Sequence, residues 1–183
     1  LTNAWNNLGL IDAREGRTEQ AIADFHVALR MSPNHAIARN NLGNAYRQAK
    51  QWDDAQRTFQ QVLTTNPSDA DANYGLAMVF AQQDDTNQAY EHLKKALDAH
   101  PIFPEALNNL GILYLRTSRR DEAVSTFEQC IRVAPAFDQA YLNLARVYAI
   151  EGAREKARAV LMELLAQHPE NLQAQKALES LGH

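Results

Sequence analysis

Apolar residues recur along the chain at three- and four-residue steps, in blocks of roughly 13 residues that come in pairs. A short break divides each pair, at Gly16-Arg17-Thr18, Lys50-Gln51-Trp52, Asp84-Asp85-Thr86, Ser118-Arg119-Arg120 and Gly152-Ala153-Arg154. That rhythm predicts antiparallel amphipathic helices joined two by two through tight turns, labelled A and B within each pair.

The pairs themselves repeat. Prolines stand at 33, 67, 101, 135 and 169, one every 34 residues, and Pro104 alone is out of step. Twelve residues before them lie Ala21, Ala55, Ala89, Ala123 and Ala157, and eight before them Phe25, Phe59, Leu93, Phe127 and Leu161. Leu8, Leu42, Leu76, Leu110 and Leu144 are each followed by a small residue: Gly9, Gly43, Ala77, Gly111 and Ala145. The small residue lets helix B of the same pair approach closely. The proline ends helix B, because it cannot donate to the helical ladder and pushes the residue before it out of the α region. Pro104 fits the first turn of the fourth helix A, where no amide partner is needed.

Residues 171–181 predict an eleventh helix, with Ala174, Ala177, Leu178 and Leu181 as its apolar stripe and Gly182 to end it. Glu179 stands where earlier copies put Gly or Ala, as expected of a solvating cap. The expected architecture is therefore all-α, a right-handed α-solenoid of five 34-residue units plus a C-terminal capping helix. The units span 2–35, 36–69, 70–103, 104–137 and 138–171. The N-terminal end, around Trp5, Leu8 and Ile11, carries no such cap. An earlier segment or a second copy of the chain is expected to meet it there, the latter making a homo-oligomer.

These columns resemble the tetratricopeptide repeat (TPR), a helix–turn–helix unit, over residues 2–169. The residues that carry the resemblance are Trp5-x-x-Leu8-Gly9, Ala21, Phe25, Ala28 and Pro33, with their later counterparts. The first copy departs at Asp12, where the family usually places Tyr; Tyr46, Phe80, Tyr114 and Tyr148 fill that slot afterwards. Asp12 is read as belonging to a terminal repeat with nothing to pack against on one side.

Charge and composition narrow the function. Seven glycines in 183 residues are too few for a turn-rich all-β chain. A net charge of −4 argues against a nucleic-acid surface, where a basic stripe is expected. No apolar run approaches the ~18 residues of a membrane span, and no basic stretch precedes an apolar one at the N-terminus. A cytoplasmic chain is the expectation, although a chain that begins Leu1-Thr2 leaves room for a removed signal.

Chemistry-bearing residues have plain explanations. His26, His35, His92, His100, His168 and His183 are scattered without ligand spacing, so no metal and no cofactor is expected. Cys130 shares its column with Ala28, Val62, Ala96 and Leu164, which makes it a small buried hydrophobe. Asp53-Asp54, Asp84-Asp85 and Asp121-Glu122 lie at the start of B helices, where the helix dipole favours negative charge. No catalytic residue is expected, and the chain is read as a non-enzyme.

The asparagines are different. The stretch Asn-Asn-Leu-Gly occurs at 6–9, 40–43 and 108–111, although Asn costs up to ~0.7 kcal/mol relative to Ala inside a helix. Asn7, Asn41, Asn109 and Asn143 fill one column in four of five copies, with Gly75 the exception. Together with the positions one before and three after, among them Asn6, Asn40, Asn108 and Asn44, that column is expected to line a concave groove of A helices. An Asn side chain offers two donors and an acceptor, so it can pair with both the N–H and the C=O of an extended peptide, whatever the peptide's sequence. The arrangement resembles the asparagine ladder in the superhelical TPR region of O-linked N-acetylglucosamine transferases, as does the wording of residues 101–111. The column could equally serve to satisfy polar atoms between neighbouring repeats.

Magnitude limits the ladder. Four neutral hydrogen bonds at ~0.5–1.5 kcal/mol net supply about 2–6 kcal/mol, and micromolar binding needs about 8. Side chains on the same face must add to it. Arg14, Arg47, Arg116 and Arg146 stand there against Asp71 and Glu105, and Tyr74, Met78, Ile112 and Leu115 make its middle more apolar. The expected partner is a protein or peptide segment in extended conformation with some acidic character. Alternatives are the substrate-recruiting region of a larger enzyme, such as a glycosyltransferase, and a scaffold that assembles through its own N-terminal end.

Overall fold

Three of the five breaks within the helix pairs hold a non-glycine residue at positive φ: Lys50 at 59°, Asp84 at 60° and Ser118 at 61°. Gly16 and Gly152 occupy the corresponding position at 76° and 75°. One residue later, an amide reaches back to the carbonyl five residues earlier, in all five places: Arg17 to Asp12 at 2.8 Å, Gln51 to Tyr46 at 2.9 Å, Asp85 to Phe80 at 3.0 Å, Arg119 to Tyr114 at 2.8 Å and Ala153 to Tyr148 at 2.9 Å. A left-handed residue followed by that bond is the Schellman stop, which satisfies carbonyls that a helix end leaves open. The same turn is thus built five times, twice with the residue that adopts it without steric cost.

The computed structural model describes residues 1–182. These form eleven α-helices: α1 (Thr2–Arg14), α2 (Thr18–Met31), α3 (Ala36–Gln48), α4 (Trp52–Thr65), α5 (Ala70–Gln82), α6 (Thr86–Ala99), α7 (Pro104–Arg116), α8 (Arg120–Val133), α9 (Asp138–Ile150), α10 (Arg154–Gln167) and α11 (Leu172–Ser180). Among the described residues there is no strand. Odd-numbered helices α1 to α9 are the A helices of the sequence, even-numbered ones the B helices. Pro104 is in the first turn of α7. Side chains of His35, Asp69 and Asn171 cap α3, α5 and α11 by accepting the amides of Ala38, Ala72 and Ala174 at 3.1, 2.9 and 2.9 Å.

The chain divides into two compact units, Leu1–Pro101 and the part from Ile102 onward. In the first unit, α1 packs on α2, α3 on α4 and α5 on α6, and each of α3 and α5 also packs on the B helix before it. One core joins Ala21, Phe25, Leu42 and Ala45, and another Ala55, Phe59, Val62, Ala72, Leu76 and Val79. In the second unit, Ala123, Phe127, Leu144 and Val147 form one core. Tyr141, Ala145, Ala157, Leu161, Leu164 and Ala174 form the other, beneath the C-terminal helix.

The glycines of the A helices mark the closest contacts. A Cβ on Gly9 would stand 2.7 Å from the Phe25 ring, on Gly43 2.6 Å from Phe59, and on Gly111 2.5 Å from Phe127. Each ring belongs to helix B of the same pair, as the spacing predicts. Phe59 is pinched from both sides, since a Cβ on Gly75 would meet it at 2.3 Å.

The first pair departs from its expectation. Asp12 is 7% exposed and pairs with the Arg17 guanidinium, with Nε at 3.0 Å from Oδ1. It is packed, contrary to the open position read from the sequence. Asp24 faces it from α2, and burial beside that second carboxyl raises the Asp24 pKa. One turn earlier on α1, Leu8 is 42% exposed, while Leu42 in the same column is 4% exposed and packs with Ala21 and Phe25 of α2.

Candidate functional site

The A-helix faces hold the asparagines, and burial divides them into two kinds. In the first unit, Asn7 and Asn44 are exposed and Asn41 is half-buried. In the second, Asn109 and Asn143 are half-buried. Asn6, Asn40 and Asn108, expected on the open face, are 6%, 6% and 8% exposed. They are packing residues. The reason is helical geometry: Asn6, Asn40 and Asn108 sit three residues before the contact glycines Gly9, Gly43 and Gly111, and positions i and i+3 share a face. That spacing was legible in the sequence and would have placed them.

The buried asparagines serve their neighbours. Asn41 Nδ2 donates to Asn6 Oδ1 at 2.8 Å, and Asn143 Nδ2 donates to Asn108 Oδ1 at 2.9 Å. Each bond joins one A helix to the next within its unit and fixes the amide of the outer asparagine. The same step fails between α3 and α5, because the donor's place is held by Gly75. Asn40 Nδ2 donates to Asp69 Oδ1 at 2.9 Å, but Asn40 Oδ1 is buried with no hydrogen-bond partner among the described residues. Asn109 instead donates to the Glu105 carbonyl at 2.8 Å.

The arginines also differ from one another. Arg14, Arg116 and Arg146 are exposed. Arg47 is half-buried, burial lowers its pKa, and its side chain donates from Nη1 to Asn44 Oδ1 at 2.9 Å. Tyr74 and Met78 on α5 are both half-buried.

Histidines do more than the sequence suggested. His168 Nδ1 lies 2.5 Å from Asp138 Oδ1, and Asn171 Nδ2 donates to Asp138 Oδ2 at 2.7 Å, which ties α9 to the end of α10. His92 Nδ1 lies 2.9 Å from Asn73 Oδ1, and its ring stacks on Phe80. Burial lowers the His92 pKa, with Lys95 adding to the effect. Cys130 is buried, its thiol donating to the Pro104 carbonyl at 3.4 Å, and burial pushes its pKa up to about 11. Among the described residues no three His, Cys, Asp or Glu side chains converge as a metal site would require, and no helix is long and apolar enough to cross a membrane.

Paired antiparallel helices with a recurring close contact, a recurring Schellman turn and a polar A face define a helical-repeat scaffold. The chain belongs to the tetratricopeptide repeat family: a family model of that description matches residues 13–79 and 116–181, and a second matches 68–136. Over 46 residues it is 39% identical to the tetratricopeptide repeat domain-containing protein PYG7, chloroplastic, of Arabidopsis thaliana. That match covers 25% of this chain and 15% of that protein. The fold is shared with TTC0263, a thermophilic TPR protein of Thermus thermophilus, at 19% identity and a TM-score of 0.81, covering 99% of this chain and 98% of that one. It is also shared with YrrB, described as a TPR protein with an unusual peptide-binding site, at 24% identity and a TM-score of 0.67 over 96% and 90% of the two chains. Members of this family are generally non-catalytic scaffolds that bind protein or peptide partners.

Proposed function

We propose that this chain is an interaction scaffold of five TPR units and a capping helix, whose A-helix faces bind a peptide segment in extended conformation. The observation that carries the reading is the state of the outer asparagines. Asn7 is exposed without a partner among the described residues, and Asn41 and Asn143 each use one N–H on a buried oxygen. Their carbonyl oxygens and second N–H groups are left for a ligand, on amides already held in place. Preorganised donors and acceptors cost less ordering entropy on binding. YrrB, alike in fold, offers a precedent for peptide binding on such a scaffold.

Asn7, Asn41, Asn44, Tyr74 and Met78 supply this surface in the first unit, with Arg14 and Arg47 at its basic positions. Asn109, Asn143, Arg116 and Arg146 supply it in the second.

The test uses a library of extended peptides against the intact chain. Asn7→Ala and Asn44→Ala together should reduce binding of retained peptides by about tenfold, the worth of roughly two neutral hydrogen bonds, with unchanged circular dichroism. Binding indifferent to both substitutions would remove the reading.

A further inference from the structure

Arg47 occupies a column that is otherwise small or apolar: its counterparts are Ala13, Ala81, Leu115 and Ala149. All five are half-buried. In four copies the site therefore holds a side chain suited to partial burial, and in one it holds a cation. Three other guanidiniums meet carboxylates among the described residues. Arg17 pairs with Asp12 and Glu15, Arg57 with Asp54, and Arg119 with Glu122. Arg47 meets no carboxylate among the described residues, only the neutral Asn44 amide oxygen. Burying a charge without a counter-charge is unfavourable, and a solvating surface role is better served at the exposed positions of Arg14, Arg116 and Arg146. The carboxylates nearest in sequence on this face are not its partners. Asp69, at the start of α5, takes the amides of Ala72 and Asn40.

We propose that Arg47, steadied by Asn44, binds the carboxylate of an acidic side chain on a peptide laid across the A helices of the first unit. The inference rests on the peptide reading above and names the ligand chemistry at one of its positions. A planar guanidinium whose Nη1 is held by Asn44 keeps its remaining N–H groups for the two oxygens of a carboxylate. The positive charge is then a binding device maintained against stability, as is common where function and packing compete.

Two measurements test it. The first needs no ligand: Arg47→Met keeps the apolar stem and removes the charge, so the thermal midpoint should rise. A fall would mean that the guanidinium stabilises the folded chain, and would overturn the proposal. The second uses two pools of synthetic dodecamers of the same Ala/Ser/Thr/Tyr/Val background, one with Glu and one with Gln at a fixed central position. The intact chain should prefer the Glu pool by at least about tenfold at low salt. Arg47→Met should abolish the preference, and Arg30→Met, at an exposed position of α2, should leave it intact. A preference that survives Arg47→Met, or equal binding of both pools, overturns the assignment while peptide binding itself stands. Failure of the wild type to bind either pool removes the peptide reading and this inference together.

Discussion

Asn6 and Asn40 stand at the same place in successive helices, equally buried, and meet opposite fates. Asn6 Oδ1 receives the Asn41 amide, whereas Asn40 Oδ1 receives nothing from the described residues. The difference is made one helix further on, where Asn41 has Gly75 as its counterpart. Gly75 in turn is imposed by Phe59, whose ring occupies the space that a side chain there would need. Ring packing and polar pairing compete for one volume, and between α3 and α5 the ring wins. Burial of a phenyl ring outweighs one neutral hydrogen bond worth about 1 kcal/mol, so the stronger of the two effects decides the outcome.

The sharpest way to break the comparison is to restore the missing donor. Gly75→Asn should not repair the pairing but destabilise the chain by about 3 kcal/mol, because its Cβ would overlap the Phe59 ring. Relief of that loss by Phe59→Leu, read by urea unfolding, would show that the two compete for one space. Removing a donor that exists is milder. Asn41→Ala in the first unit and Asn143→Ala in the second leave Asn6 and Asn108 in the condition of Asn40. Each should lower stability by about 1 kcal/mol after the better helix propensity of Ala is counted. A loss for one and not the other would end the equivalence of the two rungs.

The turns offer a smaller contrast of the same form, one position with two kinds of resident. Lys50 takes the left-handed conformation that Gly16 and Gly152 adopt without strain. Lys50→Gly should therefore raise stability by about 0.5–1 kcal/mol, seen as a higher urea midpoint at unchanged slope.

The last and smallest effect concerns Asn73, the buried asparagine with every polar group engaged. Its Nδ2 donates to the carbonyls of Pro67 and Asp69, so its Oδ1 accepts from His92 Nδ1. Because the His92 pKa is lowered in the folded chain, the unfolded chain binds the proton more tightly. This contribution to stability is present above the ordinary histidine pKa of about 6.5 and is lost as pH falls through it. His92→Gln keeps a donor and should flatten that part of the urea-midpoint profile between pH 7 and 5.

Much of this was legible in the sequence, because a 34-residue period repeats its own evidence. Eleven helices, the contact glycines and the first-turn Pro104 follow from columns that agree with one another. What the columns hid were departures from the average. Asp12 looked like an open terminal position, yet Arg17, five residues on and just past the turn, was the signal of a local ion pair. Both members of each Asn-Asn pair looked available, although adjacent helical residues are turned ~100° apart and cannot share a face. The division near Pro101 leaves no mark in a period that runs through it unbroken. Nor could the sequence tell that His35 caps α3 with a ring nitrogen, since cap geometry depends on where one helix begins.

Cys130, set against the Pro104 carbonyl in the closed interior of the second unit, gives the chain a reporter of its own. A thiol that holds its proton to about pH 11 is inert to disulfide reagents while the core stays shut, and it becomes an ordinary reactive cysteine once the core opens. The rate at which Ellman's reagent colours a native sample is then a clock for the opening of that core, with no label added and no residue changed.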